Sequence, residues 1–215
     1  MTVTISRLYD DYSAATQAVR DLEAVGLNPN DISIVANNAD NWYQDKRSRK
    51  MDRVDRDHDG TDDRVEGAEA GAGIGAVVGG TAGLLAGLGI LAIPGVGPVV
   101  AAGWLAALAA GAVAGGAAGG IIGALTQSGV SKEDAHVYAE GVRRGGTLVV
   151  ARVPDGERTR YEAILDRSAV NIRDRGAAYR KDGWTGFDES APPYSVDQAR
   201  KERELYASSP TDRPL

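Results

Sequence analysis

The sequence contains no cysteine, only one phenylalanine and only two histidines among its 215 residues. The lack of cysteine excludes disulfides, thiolate metal sites and cysteine nucleophiles, and it fits a reducing compartment. No basic segment followed by an apolar run stands near Met1, so we expect no cleaved secretory signal. The net charge is -6 and no basic face stands out, which argues against nucleic acid as a partner.

Motifs for common catalytic chemistry are also missing. The sequence has no P-loop, no G-x-S-x-G stretch and no zinc-ligand spacing. His58 lies within an acidic stretch, and His136 has no partner at a catalytic spacing. The glycine-rich residues 71–80 follow an acidic loop rather than a strand, so they do not fit a dinucleotide-binding fingerprint. We therefore expect a protein that is not an enzyme.

The first 38 residues predict a strand, a helix and a second strand. Apolar and polar residues alternate over residues 2–9, as in a half-buried strand. Residues 12–27 carry apolar side chains near helical spacing, with Ser13 as N-cap and Gly26 as the stop. Residues 31–38 then supply a second strand rich in isoleucine and valine.

A matching half lies far downstream, in residues 131–175. Ser131 begins a helix that Gly145 and Gly146 end, and residues 147–153 read as a strand. A helix over residues 157–168 and a short final strand over residues 169–174 follow. Together, residues 1–38 and 131–175 predict a discontinuous α+β domain of the ferredoxin-like sandwich type, interrupted by a long insertion.

The insertion begins with a charged segment, residues 39–66, that contains a calcium-loop pattern. Its spacing fits D-x-[DN]-x-[DN]-G-x5-E, with Gly60 at the sharp turn. The pattern departs at Asp62, where paired EF-hand loops carry an apolar residue. A solvated run of mixed charges, or a site for another hard cation, remains the alternative. The predicted calcium ligands are Asp55, Asp57, Asp59, Thr61, Asp63 and Glu66.

Charge is absent from the centre of the chain, since no ionisable side chain occurs between Glu69 and Lys132. Glycine or alanine recurs there at every fourth residue, which places a groove without side chains on one face of a helix. The motif IPGVGP, residues 93–98, predicts a reversal between two helical arms, about 71–93 and 98–126. Residues 67–130 thus predict a glycine-zipper hairpin that oligomerises through Gly71, Gly75, Gly79, Gly83 and Gly87 and through Gly103, Ala107, Gly111, Gly115, Gly119 and Gly123.

Two long uncharged helices need a covering that the small predicted domain does not supply. The first arm is long enough to cross about 30 Å of hydrocarbon, and basic residues flank both ends of the hairpin. This favours a membrane-inserted homo-oligomer at the cytoplasmic face of the inner membrane, with calcium stabilising the loop at its base. The alternative is a soluble cytoplasmic scaffold that self-assembles into large particles or filaments through the same hairpin.

Residues 176–215 lack a periodic apolar face and hold many of the prolines, which predicts a flexible tail with one short helix from Ser195. Within it, Trp184, Phe187 and Tyr194 suggest a docking motif for a protein partner over residues 184–194.

Three stretches of the chain resemble the bacterial general stress (heat-induced stress) protein family. They are TVTISRLYDDYSAATQAVRDLEAVGLNPNDISIVANN, LAIPGVGPVVAAGWLAA and GVSKEDAHVYAEGVRRGGTLVVARV, and the resemblance covers residues 3 to 153. It implies a stress-induced bacterial protein rather than a housekeeping enzyme, and it brings no catalytic residues with it.

Overall fold

The computed structural model describes residues 1–39, 43, 89–93, 96–114, 120–192 and 194–207. In these residues the strands are β1 (Thr2–Tyr9), β2 (Ile32–Asn37), β3 (Gly89–Ile93), β4 (Gly97–Ala102) and β5 (Thr147–Pro154). The helices are α1 (Tyr12–Ala24), α2 (Trp104–Ala114), α3 (Gly120–Gln127), α4 (Lys132–Arg143), α5 (Arg158–Leu165), α6 (Ile172–Lys181) and α7 (Val196–Ala207), with 3-10 turns at Pro29–Asp31 and Asp155–Glu157. The chain is therefore an α+β protein, as its sequence predicts.

The described strands form one five-stranded sheet in the order β1-β5-β2-β4-β3. Strand β5 is antiparallel to both β1 and β2, with Ile5 opposite Ala151 in one pair and Ile32 opposite Ala151 in the other. Strands β1 and β2 are therefore parallel to each other and connected through α1, while the late strand β5 lies between them.

Local sequence signals explain where α1 begins and ends. The Asp11 side chain accepts a hydrogen bond from the backbone N–H of Ser13 at 2.7 Å, so the N-cap lies two residues before the predicted Ser13. Gly26 ends the helix with φ +96°, a conformation that favours glycine. The sequence thus indicated this helix correctly and misplaced only its cap.

One face of the sheet packs against α1 and α5. Val19 and Leu22 of α1 meet Ile164 and Leu165 of α5 over the sheet residues of that face. The final strand predicted over residues 169–174 is wrong, because only a single bridge joins Val170 to Leu8. The Asn171 side chain accepts hydrogen bonds from two backbone N–H groups of α6 and starts that helix instead.

The other face of the sheet packs against α4 and against the apolar insertion. Leu105 of α2 and Ile121 and Leu125 of α3 are at most 1% exposed and belong to the same core as Leu148 and Val150 of β5. Alternate residues of β5 thus belong to the two cores on opposite faces of the sheet, Leu148 and Val150 to this one and Val149 and Ala151 to the core beneath α1 and α5. The domain therefore covers part of the second arm, and the expectation that it cannot cover both faces of two long helices stays a prediction.

At the predicted reversal between the two helical arms, the described residues form a β-hairpin. Strands β3 and β4 pair antiparallel, with Ile93 opposite Gly97, and β4 extends the sheet by pairing with β2. Short apolar runs do not distinguish a strand from a buried helix, and here the open edge of β2 supplies a partner for a strand. The remainder of the first arm, residues 71–88, lies outside the described residues.

The second arm is also divided. It enters as β4, turns at Gly103 and continues in the two helices α2 and α3. Within the described part of the chain, no helix combines the length and the apolar character needed to cross a membrane.

The region predicted as a flexible tail contains two helices that pack on the domain. Tyr179 of α6 is 1% exposed, and Ala199 of α7 is also 1% exposed. The sequence missed this packing because the contacts are made by charged and aromatic side chains, which give no apolar periodicity. Residues 208–215 and Pro193 lie outside the described residues.

Candidate functional site

Most of the predicted site residues fall in the part of the chain that the structure does not describe. This holds for all the predicted calcium ligands, Asp55, Asp57, Asp59, Thr61, Asp63 and Glu66, and for the first glycine series, Gly71, Gly75, Gly79, Gly83 and Gly87. Gly115 and Gly119 lie there as well. The calcium site therefore remains a prediction from sequence.

The described members of the second glycine series do not form one groove. Gly103 lies between β4 and α2 with φ +89°, and a Cβ there would collide with the backbone carbonyl of Ile32 and with Ser33. It is needed for a close approach to β2 within the same chain. Gly111 lies in α2 and Gly123 in α3, which are separate helices.

His136 and the aromatic residues of segment 184–194 meet within the chain. The backbone N–H of Phe187 donates to Nδ1 of His136 at 3.2 Å, and the Phe187 side chain is 8% exposed. Trp184 packs edge-on against Tyr179, with ring centroids 5.8 Å apart. The aromatic residues that suggested a docking motif for another protein thus already pack against this chain.

Among the described residues, a dense set of charged groups lies at the end of α4. Glu140 is fully buried, and its carboxylate accepts hydrogen bonds from Arg143 Nη2 and from Arg144 Nε, both at 2.6 Å. Arg143 Nε donates to the second carboxylate oxygen at 2.9 Å. Because loss of one partner of a buried ion pair costs about 3–5 kcal/mol, Glu140 is a strong local constraint on both arginines.

The cluster continues onto Asp10, which directly follows β1, and onto α6 and α7. Arg144 Nη1 donates to Glu202 of α7 at 2.7 Å. Arg175 of α6, whose side chain is 2% exposed, donates two hydrogen bonds to the carboxylate of Asp10, at 2.8 and 2.9 Å. We call these six residues the charge cluster: Asp10, Glu140, Arg143, Arg144, Arg175 and Glu202.

Three tyrosine rings line the charge cluster. The guanidinium of Arg144 lies 4.1 Å from the ring centre of Tyr179, and that of Arg175 lies 3.6 Å from the ring centre of Tyr206. Arg143 lies 4.7 Å from the ring centre of Tyr194. Such contacts between a cation and an aromatic face are worth about 0.5–2 kcal/mol each.

The protonation of the cluster follows from these contacts. Burial alone would lower the pKa of Arg144, but its hydrogen bonds to Glu202 and Glu140 outweigh burial and raise that pKa above its ordinary value. Burial also raises the pKa of the Tyr179 hydroxyl. Arg144 is therefore a permanent cation, and Tyr179 stays neutral at physiological pH.

The charge cluster binds structural elements together. Its carboxylates are paired with guanidinium groups. Among the described residues, no group of three or more His, Asp and Glu side chains is placed to hold a metal ion.

Part of this cluster has a signal in the sequence. Glu140 stands three and four residues before Arg143 and Arg144, a spacing that places all three on one side of a helix. The partners on α6 and α7 have no such signal. Each of them is separated by at least 31 positions in the sequence from the residue that it contacts, so these contacts depend on the tertiary fold.

No family model, no curated protein and no solved structure matches this chain. Its function must therefore be inferred from the sequence and from the geometry of the described residues.

Proposed function

We propose that this chain is a non-enzymatic, stress-associated protein that forms homo-oligomers through its apolar insertion. The observation that supports this most directly is the composition and exposure of α2. The helix Trp104–Ala114 contains no charged residue, yet Ala107 is exposed and Leu108 is only half-buried. A helix that is apolar on all sides is normally buried on all sides, so a second copy would complete the covering of α2.

The outer strand of the sheet supports the same proposal. Strand β3 has the sequence GILAI, and no strand of the described residues pairs with its outer edge. Soluble proteins usually protect such an edge with charged residues, proline or a bulge. An uncharged edge strand next to an uncharged helix is the arrangement expected where copies of one chain associate.

The architecture indicates how such a contact could be added to an ordinary domain. Strands β1, β2 and β5, helices α1 and α5 and the bridge at Val170 follow the order of a ferredoxin-like sandwich. We propose that this ferredoxin-like unit is the scaffold and that the insertion between β2 and β5 is the contact surface. The resemblance to general stress proteins supports the association with stress.

Membrane insertion is the second candidate, and the sequence of residues 70–88 favours it. That stretch has no charged side chain and is rich in glycine, alanine, valine and leucine. In this case the protein would lie at the cytoplasmic face of the inner membrane, whereas a soluble assembly would be cytoplasmic. We further propose that calcium, bound by the acidic loop, fixes the start of the insertion.

Sedimentation of the full chain without detergent tests the proposal. We expect particles well above the 22.4 kDa of one chain. Ala107→Glu should shift the distribution towards the monomer, because it places a charge on the open side of α2. The matched control is Ala163→Glu, which changes an exposed alanine in α5 outside the insertion and should leave the size unchanged.

Flotation with liposomes of bacterial phospholipid separates the two candidates. Wild-type protein that is large in buffer and stays with the soluble fraction supports the self-assembled form. Protein that floats with the liposomes supports membrane insertion. A wild-type chain that is a dispersed monomer and does not float would contradict both.

A further inference from the structure

Helix α7 is attached to the rest of the protein by few apolar contacts. Among its described side chains only Ala199 is buried, and Leu205 is 65% exposed. By contrast, α6 contributes the fully buried ring of Tyr179 to the same region. Apolar burial, which normally makes a helix part of the cooperative core, is therefore small for α7.

Charged and aromatic contacts hold α7 in place instead. Glu202 accepts a hydrogen bond from Arg144 at 2.7 Å, and Tyr206 packs beneath the guanidinium of Arg175. Just before the helix, Tyr194 lies beneath Arg143. We call residues 194–207, which carry these contacts, the strap.

The surface beneath the strap stays paired when the strap is removed. Arg144 keeps its hydrogen bond to the buried Glu140, and Arg175 keeps both hydrogen bonds to Asp10. Tyr179 keeps its edge contact with Trp184. Because a buried charge without a partner is what makes the loss of an ion pair costly, undocking of α7 avoids the usual penalty.

The segment before the strap is fixed separately. The Phe187 side chain is buried, and its backbone N–H donates to His136 of α4. Asp188 accepts hydrogen bonds from Ser190 in a local turn that follows. The strap can therefore leave while the chain up to Phe187 keeps its place.

We propose that residues 194–207 are a detachable strap that leaves α4 and α6 reversibly without unfolding the body of the protein. Salt promotes the release, because Arg144 and Glu202 form a partly buried pair in the docked state and become separate, exposed charges on release. Dissolved ions stabilise such exposed charges more than they stabilise the buried pair. Release uncovers a cationic and aromatic surface made of Arg144, Arg175 and Tyr179. The chain thus carries a conformational device that responds to ionic strength.

Hydrogen exchange measured by mass spectrometry on the full chain tests this proposal. In low salt, peptides from α7 should be protected, and high salt should raise their exchange rate by about tenfold or more, a change typical of a local opening. Peptides from β1, β5 and α4 should keep their rates. Glu202→Gln should raise the exchange of α7 in low salt, because it removes the charge that Arg144 binds.

The matched control is Asp197→Asn, which also changes a carboxylate of α7 to an amide. Asp197 is 84% exposed and pairs only with Arg200 of the same helix at 3.9 Å, so its loss should have little effect. Loss of protection in β5 together with α7 would show that the strap opens only by global unfolding and would overturn the proposal. The proposal would also be overturned if the hydrogen-exchange rate of α7 peptides changed neither with salt nor with Glu202→Gln.

Discussion

At the scale of single residues, buried tyrosine hydroxyls tie the helices to the sheet. The Tyr138 hydroxyl of α4 donates to the backbone carbonyl of Ser6 at 2.7 Å, and the Tyr9 hydroxyl of β1 donates to that of Leu165 at 2.8 Å. Burial raises the pKa of Tyr9, and it raises the pKa of Tyr138 to about 12 although the nearby charge of Arg7 acts in the opposite direction.

These shifts predict a loss of stability in alkali that Tyr138→Phe should reduce. The folded state prefers neutral Tyr138, so its contribution is complete below the unfolded pKa of about 10 and is lost as pH rises towards 12. We expect the free energy of unfolding of the wild type to fall over this range. Tyr138→Phe should lower the free energy of unfolding by about 1 kcal/mol near neutral pH, because one hydrogen bond is lost. The free energy of unfolding of this variant should then fall less steeply with rising pH than that of the wild type.

Urea denaturation of both proteins across this pH range measures the two slopes. Tyr161→Phe is the control, since the Tyr161 ring is also buried but belongs to the core between α1, α5 and the sheet. Equal slopes for wild type and Tyr138→Phe would show that the Tyr138 hydroxyl titrates in the folded protein as it does in the unfolded one.

Roles that depend on residues a few positions apart could be predicted from the sequence, whereas roles that depend on contacts between distant residues could not. The Ser131 side chain accepts a hydrogen bond from the backbone N–H of Asp134, as the capping pattern predicted. The role of Gly103 is different, since its contact with Ile32 joins positions far apart in the sequence. The four-residue spacing from Gly103 through Ala107 to Gly111 suggested a groove, but the positive φ of Gly103 serves a turn.

At the scale of elements, a residue of strand β2 caps the start of α2, a helix of the insertion. The side chain of Ser33 in β2 accepts a hydrogen bond from the backbone N–H of Leu105, in the first turn of α2, at 2.9 Å. The absence of a side chain at Gly103 permits this approach. Helix α2 therefore obtains its cap from a residue that the sequence places in a strand.

Ser33→Ala should therefore destabilise the protein by about 1 kcal/mol, the usual cost of a lost N-cap. Ser33 is fully buried, so water cannot easily replace its oxygen. Ser13→Ala serves as the control, because Ser13 is exposed in α1 and such changes stay within about 0.5 kcal/mol. Urea denaturation measures both variants, and an equal effect of the two would contradict a capping role for Ser33.

Elements with their own start and stop signals were predictable from the sequence. Strands β1, β2 and β5 and helices α1 and α4 were all indicated by local periodicity and caps. The β-hairpin of β3 and β4 was not, because a run without polar residues has no period and its strand partner, β2, lies far away in sequence.

At the scale of the whole molecule, the two ends of the chain are interleaved in one sheet. Strand β5 pairs with β1 along its full length and with β2 on its other side, so the sheet closes only after most of the chain has been made. Helix α4 and the insertion then cover the second face of that sheet. The sheet is thus held together by pairings between distant parts of the sequence, and such pairings are typical of slow folding.

An engineered disulfide between β1 and β5 tests this interleaving. Thr4 stands directly opposite Arg152, and directly opposed residues of antiparallel strands have Cα atoms about 4.5–5.5 Å apart, within the range of disulfides. Because the chain has no cysteine, Thr4→Cys with Arg152→Cys offers one pairing only. Oxidation should close it quantitatively and raise the free energy of unfolding by about 3–5 kcal/mol over the reduced form of the same variant.

Comparing the oxidised and reduced forms of one variant cancels the loss of the contact between Arg152 and the Trp104 ring, which lie 3.6 Å apart. Thr4→Cys with Asp155→Cys is the matched control, since Asp155 is exposed and three positions out of register. Non-reducing electrophoresis reports closure for each pair. Equal closure of both pairs, or closure of neither, would contradict the register and with it the placement of β5 beside β1.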